Sequence, residues 1–81
     1  MCMYYVESIG TECYSRHGYG SSELAYDDLC NSIYNLAISC WKERLILYNC
    51  WGIPLISITK EWARKNYKTE YFSLVRRDKM L

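Results

Sequence analysis

Cys13 and His17, four residues apart, are the pairing in this chain that could act as a thiol nucleophile with an imidazole base. That chemistry also needs a group to orient the base and donors for an oxyanion, and the spacing supplies neither. A solvent-exposed loop histidine is the plainer account of His17, and no enzyme is expected. The five cysteines, Cys2, Cys13, Cys30, Cys40 and Cys50, contain no Cys-x-x-Cys pair, and His17 is the single histidine. No metal site or other cofactor is expected from such scattered ligands. The cysteine count is odd, and Met1-Cys2-Met3-Tyr4-Tyr5 has no basic region like that of a secretory signal. Reduced thiols and a cytoplasmic location are the expectation.

Gly18-Tyr19-Gly20-Ser21-Ser22 has the outline of a loop that offers helix amides to a phosphate. It lacks the lysine followed by serine or threonine, and Glu23, Asp27 and Asp28 would repel an anion, so the glycines read as a tight entry to a helix. Asp27 and Asp28 are adjacent and point about 100° apart on a helix, which suits a solvated face better than acid/base work.

Charge is unevenly spread, although the chain as a whole carries only +1. Residues 1 to 40 hold Glu7, Glu12, Glu23, Asp27 and Asp28 against Arg16 alone. The last third holds Lys60, Arg64, Lys65, Lys68, Arg76, Arg77 and Lys79 against Glu61, Glu70 and Asp78. Tyr67, Tyr71 and Phe72 are interleaved with Lys65, Lys68, Arg76 and Arg77, which is the residue mix for phosphate contact and base stacking. The small net charge and the absence of a known RNA-binding motif make nucleic-acid binding the alternative reading. Nine tyrosines in 81 residues are too many for one small core and suggest a binding surface, because tyrosine gives large, rigid contact area at low entropic cost.

The elements that must position these residues fit one α+β domain over residues 1–81: one main helix on a small antiparallel sheet, roughly ββαββ with a short helix and a last strand. Tyr4 to Ile9 is β-prone and ends at Gly10; Glu12 to Arg16 is a weaker second strand, and His17 to Gly20 a connection. Ser22 to Trp41 is the helix, capped by Ser21 or Ser22. Its apolar stripe is Tyr26, Leu29, Cys30, Ile33, Leu36, Ala37, Cys40 and Trp41, with Tyr34 and Ile38 on the flank. Arg44 to Tyr48 and Ile53 to Thr59 form a hairpin in which Ile56 and Ile58 face the core. Pro54 begins that strand or marks a sheet edge. Thr59 caps a short helix, Lys60 to Asn66; Tyr71 to Arg76 is the last strand, and Arg77 to Leu81 a tail. No run reaches the ~20 apolar residues of a membrane helix.

A protein-binding module is therefore the first expectation, with Tyr19, Glu23, Tyr26, Asp27 and Asp28 as its contact patch. Its partner would be a protein with a basic groove, including one that normally holds nucleic acid. A homodimer through an exposed edge strand near Pro54 or Tyr71 is also open. In size and sparseness of motif the chain resembles the small phage-encoded inhibitors of host defence proteins, the anti-CRISPR proteins among them. That resemblance implies action by occluding a functional surface, and it carries no residue assignments.

Overall fold

Alternating side chains in Tyr4–Gly10 turn Val6 and Ser8 inward and Tyr5, Glu7 and Ile9 outward, and this run is the first strand, β1. The computed structural model describes residues 3–11 and 14–66. The further elements are β2 (Tyr14–Tyr19), α1 (Ser22–Ile38), β3 (Lys42–Tyr48), β4 (Pro54–Thr59) and α2 (Lys60–Asn66). The four strands make one antiparallel sheet in the order β2-β1-β3-β4, so the fold is α+β.

Both helices contribute to the core over one face of that sheet. Val6, Leu45, Leu47 and Ile58 from the strands meet Ala25, Tyr26, Leu29, Ile33, Leu36 and Ala37 of α1 and Ala63 of α2. Leu29, Ile33, Leu36, Leu45 and Leu47 are fully buried, each contributing ~1.5–3 kcal/mol of apolar burial. Ser21 is the N-cap of α1, its Oγ accepting from the Leu24 amide at 3.2 Å. Thr59 does the same for α2, accepting from the Trp62 amide at 3.2 Å, as its position in the sequence suggests.

The ends of α1 and β2 differ most from the sequence reading, and the bounds of β1, β3 and β4 shift by one or two residues. The main helix stops at Ile38 instead of Trp41, because the Ser39 side chain accepts from the amides of Trp41 and Lys42 and competes with the helical ladder. Cys40 consequently stands exposed beyond the helix and is not part of its apolar stripe. The second strand runs to Tyr19 and absorbs His17-Gly18-Tyr19, read above as a connection; Glu12 and Cys13 lie outside the described residues. The expected strand Tyr71 to Arg76 and the tail also lie outside them.

A close approach between the central strands and a side-chain-organised turn shape the β1–β3 and β3–β4 pairings. A bulge at Ile9/Gly10 lets Trp41 lie against Gly10, where a Cβ would collide with the Trp41 backbone oxygen, and the Thr11 amide donates to that oxygen at 3.1 Å. The β3–β4 turn is organised by Asn49, whose Oδ1 accepts from the amides of Trp51 and Ile53, each at 2.9 Å, with Gly52 at φ 79°.

No cation stands in the last turn of α1, and α2 supplies the complement to that helix end. Lys60 Nζ donates to the Ser39 carbonyl at 2.8 Å and Arg64 Nε to the Ala37 carbonyl at 3.2 Å. Arg64→Ala should therefore cost about 1 kcal/mol, below the ~1.5–3 kcal/mol of a charged hydrogen bond because Arg64 is exposed and screened by solvent. On a domain of this size the melting temperature should fall by roughly 4–8 °C. An unchanged melting temperature would show that α2 does not latch the end of α1.

Candidate interaction surface

The helices cover one face of the sheet, and the opposite face carries Tyr5, Glu7 and Ile9 of β1 beside Tyr14, Arg16 and Gly18 of β2. Arg44, Ile46 and Tyr48 of β3 continue the same face. Tyr5 and Tyr48 are direct cross-strand partners on the two central strands. Gly18 faces Tyr5 from β2, and a Cβ there would come within 3.2 Å of the Tyr5 ring and 2.7 Å of the Met3 methyl. Glycine is thus what lets the ring lie across the edge strand.

Arg16 completes the cluster. Its guanidinium carbon lies 4.4 Å from the centroid of the Tyr5 ring and 5.3 Å from that of Tyr48, so one cation is held by two aromatic faces. The Tyr48 hydroxyl donates to Glu7 Oε1 at 2.9 Å. That hydrogen bond, with burial adding to it, raises the Tyr48 pKa, while Arg16 opposes the shift. Among the described residues no acceptor lies within hydrogen-bond distance of the Arg16 guanidinium. The side chain is exposed, and its N–H edge is a rigid fork matched to carboxylate oxygens. Around it stand Tyr14 at 66% exposure and Ile9 at 36%, while Arg44 is engaged with Ser57 Oγ at 3.2 Å.

A concavity of about 240 Å³ is lined by Glu43, Arg44, Thr59, Lys60 and Glu61. Lys60 and Glu43 pair across it at 3.1 Å.

The patch expected at the start of α1 is only partly a surface. Glu23 is exposed and Asp27 and Asp28 are half-buried, but Tyr26 is 3% exposed and belongs to the core. Tyr19 is half-buried at the end of β2, and its hydroxyl is directed to Asp28. Of the basic residues considered for nucleic acid, Lys65 is exposed on α2, and Lys68, Arg76 and Arg77 lie outside the described residues. His17 is exposed on β2. Tyr5, Glu7, Arg16 and Tyr48 were missed as a group. The period-two pattern of β1 was the available signal for Tyr5 and Glu7, whereas Arg16 and Tyr48 join them only through strand pairing.

Burial first, and then the hydrogen bond to Asp28, push the Tyr19 pKa from 10.0 up to about 12. Tyr26 is raised as well, by burial and then by Tyr4. The folded chain thus holds these protons where the unfolded chain releases them. Their stabilisation is complete below pH 10 and is lost as pH rises from 10 toward about 12. Tyr19→Phe should flatten the alkaline fall in denaturation midpoint without abolishing it; an identical slope would remove the Tyr19–Asp28 contact as its source.

Comparison with protein-family models, with curated proteins and with solved structures finds no match to this chain. Among the described residues no helix is long and apolar enough to cross a membrane.

Proposed function

We propose that this chain is a protein-binding module whose open sheet face takes an acidic segment of a partner, with Arg16 as the anchor. The observation that carries the reading is the exposed Arg16 guanidinium held on Tyr5 and Tyr48 with no acceptor for its N–H groups among the described residues. Arginine and tyrosine are the residue types that dominate binding energy at interfaces, and a side chain already fixed by two rings loses little entropy on binding. The acidic start of α1 supports a contact less well, since Tyr26 is in the core and Asp28 already faces Tyr19.

Nucleic acid fits this face less well. Base stacking needs uncovered rings, but Arg16 already lies over the rings of Tyr5 and Tyr48. An inhibitor that occludes a functional surface of a host protein would need no more machinery than this face provides.

The test is an NMR titration of the full chain with a glutamate-rich peptide and, separately, with a mixed-sequence single-stranded RNA. The proposal expects saturable shifts on Tyr5, Arg16 and Tyr48 with the peptide. Shifts confined to α1, or tighter saturation by the RNA on the sheet face, would overturn it.

A further inference from the structure

Opposite its buried stripe, α1 carries a second one: Leu24, Asp27, Asn31, Tyr34 and Ile38, at alternating steps of three and four residues. The outer face of a surface helix is ordinarily polar. Here Leu24 is 55% exposed, Tyr34 49% and Ile38 61%. Charge along the helix is one-sided: Glu23, Asp27 and Asp28 lie in its first half, and Leu29 to Ile38 holds no charged residue. At the far end stands Arg64 of α2, bonded to the Ala37 carbonyl.

We propose that this stripe is a two-fold interface between two copies of the chain, with α1 packed antiparallel on α1 and Asn31 at its centre. Placing Asn31 against Asn31 brings Leu24 of one copy over Ile38 of the other at both ends of the seam. Asp27 then meets Asn35, whose amide can donate to the carboxylate, and Glu23 approaches the helix end that carries Arg64. Opposed macrodipoles favour the same arrangement. Parallel pairing would instead set Asp27 against Asp27 and gather all the acidic residues at one end. A central polar pair fixes register at some cost in affinity, as a buried asparagine does in helical zippers. The seam from Leu24 to Ile38 is about 21 Å long, which suits a reversible dimer rather than an obligate one.

Sedimentation velocity of the full chain tests this. The expected result is a reversible shift with concentration from the 9.7 kDa monomer toward twice that mass. Ile38→Glu should raise the dissociation constant roughly 100-fold, since both ends of the seam lose an apolar contact. Its thermal melt at low concentration should match that of the unaltered chain because Ile38 is exposed in the monomer. Asn31→Ile should tighten the dimer about 10-fold or more. A chain that stays monomeric through its soluble range, or a dimer indifferent to Ile38→Glu, would overturn the proposal. So would association that responds instead to substitutions on the edge strands β2 or β4.

Discussion

Arg16→Ala is expected to weaken binding of the acidic partner segment by ~30-fold or more, as the loss of a central arginine hot spot does. The melting temperature should fall by only a few degrees, because Arg16 donates no hydrogen bond among the described residues and its contacts with the Tyr5 and Tyr48 rings are worth about 0.5–1 kcal/mol at an exposed site. Arg16→Lys should recover little of the loss. A lysine keeps the charge but has neither the planar face that lies on Tyr5 and Tyr48 nor the fork that holds two carboxylate oxygens. Tyr48→Phe should fall between the unaltered chain and Arg16→Ala. The ring under the guanidinium remains, while Glu7 loses the hydroxyl that donates to it and becomes a freer competitor for Arg16. Titration calorimetry with one peptide across the series would read all three. Equal affinity for the unaltered chain and Arg16→Ala would remove Arg16 from the site.

Leu47→Ala should cost ~2–5 kcal/mol, a large share of the ~5–15 kcal/mol that holds a domain together. Leu47 is fully buried, on the central strand β3 between Val6 of β1 and Ile56 of β4. The cavity left there borders sheet and helices together and has little means to collapse. A fall of at least about 10 °C in melting temperature follows for a chain of this length. Trp51→Ala deletes more atoms but from a turn residue 77% exposed, and should stay within about 0.5 kcal/mol. A larger effect at Trp51 than at Leu47 would mean that the core is not where the sheet and helices meet.

The helix was legible because Leu29, Ile33 and Leu36 repeat at its period, and β3 because Leu45 and Leu47 alternate with exposed or half-buried neighbours. What escaped reading is non-local. Ser39 ends α1 through its own side chain, where the apolar spacing alone would carry the helix on to Trp41. His17-Gly18-Tyr19 has the composition of a loop, but pairing with Tyr4, Tyr5 and Val6 makes it a strand, and Gly18 is there to seat the Tyr5 ring. Tyr26 shows the limit of reading by residue type. Its spacing places it in the apolar stripe, and burial follows the spacing, whereas tyrosine as an interface residue suggested the surface. The cluster of Tyr5, Glu7, Arg16 and Tyr48 draws on three strands, so no window of sequence contains it.

Photo-cross-linking from the open face, in cells of the organism that encodes the chain, tests the central claim most directly. p-Benzoylphenylalanine at Tyr14 sits on that face, two residues from Arg16 on the same strand, at a position where the native side chain is 66% exposed. The account predicts an adduct with a different protein from this position, and its loss when Arg16→Ala is added. No adduct, an adduct with nucleic acid, or a protein adduct that persists with Arg16→Ala would contradict it.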